Sequence, residues 1–138
     1  PVRAPKPGGY AAIIVDVHGE ATSEKMAMGH LADGKASLVV GTHTHVPTGD
    51  AQILENGTGY QTDAGMCGDY DSVIGMEKTG SLQRFRRRFP SPRLAPAEGE
   101  GTLCGTFVET DDVTGLAKMI SPVRVGGRLQ EQLPQIDN

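Results

Sequence analysis

The sequence has no tryptophan and only three tyrosines and three phenylalanines among its 138 residues. This scarcity removes most of the aromatic surface on which single-stranded nucleic acids stack. No apolar run approaches the roughly 20 residues that a membrane-spanning helix needs. No signal peptide is visible either, so we expect no membrane segment and a cytoplasmic location.

Cysteine is also scarce, because only Cys67 and Cys104 are present. They lie far apart and match no metal-ligand spacing, so we expect free thiols in a reducing compartment. The net charge of −4 disfavours non-specific nucleic-acid binding. A cluster of arginines could meet phosphate, although such a run is more typical of a solvated loop. It comprises Arg84, Arg86, Arg87, Arg88 and Arg93.

Glycine and proline are abundant, at 19 and 9 residues, which predicts a large share of turn and loop. The length suits a single domain, and one that can bury a core. Residues 1–9 are linker-like, and residues 126–138 are expected to form a polar, frayed tail. The opening without an initiator methionine favours a piece of a longer protein.

The chain alternates short apolar runs with one helical pattern, which predicts an α/β fold. Residues 10–16 and 37–41 are predicted strands, joined by a helix in a parallel βαβ crossover. We expect Thr22 or Ser23 to cap this helix and Asp33-Gly34 to end it. The side chains predicted to form its apolar face are Met26, Ala27, Leu31 and Ala32.

Two hairpins and a second helix are predicted after the second strand. Residues 51–54 pair with 59–63 around a turn at 55–58, and a shaped loop follows at 64–76. Residues 77–85 form a short helix. Residues 102–109 and 116–125 form an antiparallel C-terminal hairpin.

Histidines follow both predicted strands of the crossover. His18 lies just after the first strand, and His43 and His45 follow the second, at positions whose side chains share one side of an extended chain. The carboxyl ends of parallel strands gather at one edge of a sheet, where sites form. Imidazole suits Zn, Fe, Cu and Ni. The alternative is that these three are polar loop residues that hydrogen-bond to the backbone. The fourth histidine, His30, lies within the predicted helix, and we expect it to be a surface or packing residue.

Three carboxylates accompany these histidines, namely Asp16, Glu20 and Asp63. A carboxylate often orients a metal-bound histidine through its other ring nitrogen. Helix capping or turn chemistry is the alternative role, and the one that we favour for these three residues.

Three motifs together resemble the C-terminal half of the bacterial YmdB-like metallophosphoesterases, of the calcineurin-like phosphoesterase superfamily. They are Asp16–Lys25, Val40–Val46 and Tyr70–Met76, within a similarity that runs from about Tyr10 to Val125. The resemblance implies part of an α/β/β/α sandwich with mixed sheets. It also implies two divalent or mixed-valence ions (Fe, Mn or Zn) and hydrolysis of small phosphodiesters such as cyclic nucleotides. By the same resemblance, His18 and His43 ligate the second metal and His45 the first.

The family's remaining ligands and the group that assists its chemistry belong to an N-terminal half that this chain lacks. We therefore expect a partial metallophosphoesterase domain over residues 1–138 that alone binds metal weakly and hydrolyses little. A sheet edge left uncovered favours self-association into a homo-oligomer. The competing hypothesis is a non-catalytic α/β module that binds a metal or a partner.

Overall fold

The computed structural model describes residues 10–86 and 93–136, which form two sheets and two helices. The predicted linker at 1–9, together with Arg87 and Arg88 of the arginine cluster, lies outside these residues. The elements in chain order are β1 (Ile14–His18), α1 (Thr22–Ala32), β2 (Leu38–Thr42), β3 (Gln52–Ile53), β4 (Gly59–Gln61), β5 (Gly68–Asp69), α2 (Lys78–Arg86), β6 (Gly101–Thr110) and β7 (Ala117–Val125).

The first sheet has the strand order β1-β2-β4-β3 and is mixed. Strand β1 runs parallel to β2, so the βαβ crossover is confirmed, and β2 is parallel to β4. Strand β3 pairs with β4 in the predicted antiparallel hairpin. Strand β1 begins at Ile14, later than predicted, because β2 begins opposite it at Leu38.

The second sheet is antiparallel, in the order β5-β6-β7. Its long β6–β7 hairpin confirms the predicted C-terminal hairpin. The hairpin is tied to the first sheet, because Thr106 Oγ1 donates to Gln61 Oε1 at 2.7 Å. After β7 the chain folds back, and Gln132 and Arg124 exchange two backbone hydrogen bonds of 2.8 and 2.9 Å. An α/β fold with one mixed and one antiparallel sheet is therefore confirmed.

The core lies between α1 and the first sheet. Val39 and Tyr60 are almost fully buried at its centre, and α1 contributes Ala32. Val15 and Val17 pack against it from alternate positions of β1, and the intervening positions of that strand face away. The pattern leaves Ile14, on the sheet's edge strand, 63 % exposed.

The predicted apolar face of α1 is wrong except for Ala32. The helix buries Lys25, Gly29 and Ala32, whereas Met26, Ala27 and Leu31 are exposed. The reason is close packing: a Cβ at Gly29 would lie 2.6 Å from Tyr60 Cδ2, so the Tyr60 ring rests on bare helix backbone.

Both helix ends of α1 can be compared with the prediction. The predicted cap by Thr22 or Ser23 is wrong, because Ala21 is the N-cap and no side chain caps it. The predicted end is confirmed at Asp33, after which Gly34 has a φ of +74°. His30 is exposed on the helix surface, as expected.

Three further predictions concern the second helix, the two cysteines and membrane-spanning segments. Helix α2 confirms the predicted helix at 77–85 and carries Arg84 and Arg86. Cys67 and Cys104 are free thiols, as expected. No helix in the described part of the chain is long and apolar enough to cross a membrane.

Asp33 ties the end of α1 to the β3–β4 turn. Its Oδ2 accepts hydrogen bonds of 2.9 Å from the backbone and side-chain amides of Asn56, and its Oδ1 accepts one from Thr58 N at 3.2 Å. Burial alone would raise the pKa of Asp33, but these hydrogen bonds outweigh it and hold the pKa below its usual value.

We expect Asp33→Asn to lower the free energy of unfolding by roughly 1 kcal/mol, because a charged acceptor of three bonds is lost. Since the folded pKa of Asp33 is depressed, its contribution is present above about pH 4 and is lost as the pH falls through the folded pKa. Urea unfolding at a series of pH values should show a shallower acid loss in the variant. An equal pH dependence in both proteins would contradict this role.

We expect Gly29→Ala to destabilise the fold by about 1–3 kcal/mol, because the added methyl overlaps the Tyr60 ring. Ordinary helix propensity predicts the opposite sign, a gain of up to about 1 kcal/mol. Gly80→Ala in α2 is the matched control, since its Cβ would meet only the ends of two flexible side chains, Leu94 Cδ2 at 3.3 Å and Glu77 Oε2 at 3.8 Å. Thermal unfolding of both variants measures the sign, and a stabilised Gly29→Ala protein would refute the packing argument.

Candidate metal centre

The carboxyl ends of β1 and β2 coincide. His18 is the last residue of β1 and lies opposite Thr42, the last residue of β2, so His43 follows directly at the same sheet edge. The strand pairing predicted from the sequence therefore brings two of the three candidate imidazoles together.

The rings of His18 and His43 meet edge to face. Their centroids are 4.9 Å apart and their planes are 83° apart. His18 Nε2 lies 3.1 Å from His43 Nδ1, so each ring directs one nitrogen at the other. Both side chains are exposed, which leaves this pair open to solvent and to ligands.

A hydrogen-bond chain orients the ring of His18. Thr42 Oγ1 donates to Asp16 Oδ1 at 2.8 Å, and His18 Nδ1 lies 3.0 Å from the same hydroxyl. Because the Thr42 hydroxyl gives its hydrogen to Asp16, it can only accept from His18, which places the imidazole hydrogen on Nδ1. The lone pair of His18 is then on Nε2, the nitrogen that faces His43.

Glu20 contacts the far side of His43. Its Oε2 lies 2.7 Å from His43 Nε2, in an ion-pair geometry with the glutamate side chain 87 % exposed. Asp16 and Glu20 thus both reach an imidazole of the pair, Asp16 through Thr42 and Glu20 directly. Neither carboxylate caps the helix that follows.

His45 is held by a different loop. Its Nδ1 lies 2.9 Å from the carbonyl oxygen of Ile74. A carbonyl can only accept, so the hydrogen of His45 is on Nδ1 and the lone pair is on Nε2. Within the described residues, no hydrogen bond or ring contact joins His45 to His18 or His43.

The backbone is strained at this site. The described residues include three non-glycine residues with positive φ, and all three are here: His43 at 116°, His45 at 65° and Ile74 at 50°. Such conformations cost of order 1–3 kcal/mol each and persist only where the surroundings impose them. Outliers of this kind concentrate at functional sites.

Asp63 imposes the conformation of the loop between the two histidines. Its Oδ2 accepts from Thr44 N at 2.9 Å, and its Oδ1 accepts from Gly65 N at 2.9 Å. The same Oδ2 pairs with Lys25 Nζ at 3.0 Å, and both side chains are only 1 % exposed. Among the described residues, the Asp63 carboxylate bonds to no imidazole, but it holds the peptide that connects His43 to His45.

The charge of Asp63 is stabilised in place. Burial raises the pKa of Asp63, but hydrogen bonds from the amides of Thr44 and Gly65 and from the ammonium of Lys25 lower it by more. The pKa of Asp63 therefore lies below its usual value. Gly41 makes this arrangement fit, because a Cβ there would lie 1.7 Å from Thr62 O and 2.8 Å from Lys25 Cδ. Only glycine permits β2 to pass this close to the buried pair.

Three residues that build the site were not recognised from the sequence: Lys25, Thr42 and Ile74. Lys25 had a detectable signal, because it shares one helical stripe with Gly29 and Ala32, at a spacing typical of a buried face. Thr42 and Ile74 lie within the Val40–Val46 and Tyr70–Met76 motifs, but their individual roles depend on which loops meet.

The donor atoms suit a borderline transition metal, but they are few. In the neutral tautomers that these hydrogen bonds favour, His18 and His45 each have the lone pair on Nε2, the form that binds metals. Within residues 10–86 and 93–136, no group of three or more His, Cys, Asp or Glu side chains could hold a metal ion. Since a catalytic metal takes about three protein ligands, the described residues fit part of a metal site.

A protein of known function has a similar sequence. The chain is 48 % identical over 113 residues to a 2′,3′-cyclic-nucleotide 2′-phosphodiesterase of Bacillus subtilis (strain 168). The match covers 82 % of this chain and 42 % of the relative, so the chain spans less than half of that protein's length.

Two crystal structures share the fold. A hypothetical protein from Thermus thermophilus has a TM-score of 0.77 and 47 % identity over 83 % of this chain and 44 % of its own. A phosphatase from Mycoplasma pneumoniae has a TM-score of 0.73 and 37 % identity over 80 % of this chain and 40 % of its own. The sequence profile of the YmdB-like proteins matches residues 4–123. The chain belongs to the YmdB-like protein family.

Proposed function

We propose that this chain supplies the histidine ligands of a dinuclear metal centre in a phosphodiesterase that hydrolyses small phosphodiesters such as cyclic nucleotides, and that it works in the cytoplasm. The observation that carries the proposal is the paired strand ends, which present His18 and His43 at one sheet edge. The activity named for the Bacillus subtilis relative, of which the chain spans 42 %, supports the choice of substrate.

The three imidazoles would divide between two metals. Following the family resemblance, His18 and His43 would hold the second metal and His45 the first. The hydrogen on Nδ1 of His18 and of His45 supports this role, because each ring is fixed by one nitrogen and free to ligate through the other. Fe, Mn or Zn in divalent or mixed-valence form would suit these donors.

The bound ions would supply Lewis acidity at the phosphoryl group and a nucleophilic water near neutral pH. In the overall reaction, the oxygen of water forms a new bond to phosphorus while one ester bond breaks, and the departing oxygen takes up a proton. This chain's own contribution is to orient the ligands: Asp16 acts on His18 through Thr42, and Glu20 acts directly on His43. Asp63 sets the loop between His43 and His45.

The non-catalytic module remains the competing function. It shares the metal-binding histidines but predicts no turnover in any form of the protein. Since fewer than three ligands converge in the described residues, the 138-residue chain alone is expected to bind metal weakly under both hypotheses. The two are therefore separated only in a protein that contains the complete reading frame.

We expect His18→Ala or His45→Ala, made in the complete protein, to lose about half of a two-metal complement and to reduce turnover by at least the roughly 100-fold known for outer-shell changes. Metal content is measured by elemental analysis, and turnover with bis-p-nitrophenyl phosphate and added Mn or Fe. His30→Ala is the matched control, because His30 is exposed on α1, away from the ends of β1 and β2 where the candidate ligands lie.

Three results bear on the choice between the functions. Loss of metal and turnover in the two variants, but not in His30→Ala, supports the phosphodiesterase. A wild-type protein that holds metal but hydrolyses neither this diester nor 2′,3′-cyclic AMP supports the non-catalytic module. Full metal content and full turnover in both variants would contradict any ligand role for these histidines.

A further inference from the structure

The loop that contacts His45 ends in an unusually strained turn. Val73 and Met76 exchange two backbone hydrogen bonds of 2.9 Å, so Ile74 and Gly75 are the two central residues of a tight turn. Both have positive φ, at 50° and 89°. Turns of this kind favour Asn-Gly, Asp-Gly or Gly-Gly, because a β-branched residue at positive φ is a genuine outlier.

The isoleucine is not explained by packing. Its side chain is 55 % exposed, so burial within the described residues does not offset the strain. Its carbonyl orients His45, but a backbone carbonyl is the same in asparagine or glycine, which would adopt this turn at lower cost. The side chain itself therefore needs a contact that the described residues do not provide.

The position of Ile74 indicates what that contact is. Its backbone carbonyl is 2.9 Å from His45 Nδ1, so Ile74 belongs to the loop that meets a candidate metal ligand. Val73, next to Ile74 in sequence, and Val46, next to His45, are also exposed apolar residues, at 38 % and 53 %. Three exposed apolar residues therefore adjoin His45 or the loop that contacts it, and we call Val46, Val73 and Ile74 the apolar rim.

We propose that Ile74, together with Val46 and Val73, receives the nucleoside of a cyclic-nucleotide substrate. The proposal rests on the phosphodiesterase function proposed above. A nucleobase has an apolar face with no charge to pair, whereas the phosphate needs the polar side of the site. The rim would therefore determine affinity for the nucleoside and leave the chemistry at phosphorus to the histidines.

The test compares two cyclic phosphodiesters in the complete, metal-loaded protein. One is 2′,3′-cyclic AMP, and the other is glycerol 1,2-cyclic phosphate, which has the same five-membered ester and no nucleobase. The variant is Ile74→Asn, because asparagine suits positive φ and keeps the carbonyl on His45. Val113→Asn is the matched control, because Val113 is an apolar residue that is 78 % exposed in the β6–β7 loop. This loop lies at the opposite end of β2 from the histidines, where Ser37 Oγ donates a hydrogen bond to Gly115 O.

We expect Ile74→Asn to raise the ratio of KM for 2′,3′-cyclic AMP to KM for glycerol 1,2-cyclic phosphate by about 10-fold, the scale of one lost apolar contact. The kcat values should change much less than this ratio. Calorimetry should show similarly weaker binding of adenosine 3′-monophosphate, the product of breaking the bond to the 2′ oxygen. Val113→Asn should leave the ratio unaltered.

Other results would overturn the proposal. An equal loss with both substrates would show that Ile74 acts only through His45. A lower Tm with an unaltered ratio would show that another part of the protein covers the side chain. No change in either measurement would mean that the rim contacts nothing. If wild type hydrolyses neither ester, the phosphodiesterase function itself fails, and this inference falls with it.

Discussion

The buried ion pair between Lys25 and Asp63 is the interaction on which the rest of the site depends. Each side chain is only 1 % exposed, so neither charge has access to water as a substitute partner. Removing one partner of such a pair typically costs about 3–5 kcal/mol, because the other charge stays buried. The pair joins α1 to the loop after β4 and so fixes the helix, the sheet and the histidine loop relative to one another.

Asp63 also connects this constraint to the chemistry. Its carboxylate accepts a hydrogen bond from Thr44 N, the residue between His43 and His45, which both have positive φ. The buried charge therefore constrains the strained segment through its backbone. Ile74 adds strain from the other side, where its carbonyl holds His45. Constraints from two sides preorganise the histidine side chains before a metal or substrate binds.

Much of the site could be predicted because it depends on local patterns. Apolar β-branched runs that end in histidine indicate strand ends, and a helix between them indicates parallel pairing, so the meeting of His18 with His43 was predictable. The roles of the carboxylates were not, because nothing in the local sequence shows which of the three is buried and which reach an imidazole. Glu20 reaches His43 and Asp16 reaches Thr42, whereas Asp63 is buried beneath the loop. The face of α1 was mispredicted for the same reason, since Lys25 is buried only where Asp63 neutralises it.

By itself, the sequence determined the order of the strands and helices, the hairpins, the family and the residue types available as ligands. These follow from periodicity, turn chemistry and motif spacing, which act over a few neighbouring residues. Only the tertiary structure decided which nitrogen of His18 and of His45 is free, which carboxylate is buried and that the strained turn at Ile74 meets His45. Those outcomes depend on contacts between distant segments, such as Lys25 with Asp63, 38 residues apart, and His45 with Ile74, 29 residues apart. Hydrogen bonding and burial at such contacts are set by the three-dimensional fold, and no local pattern encodes them.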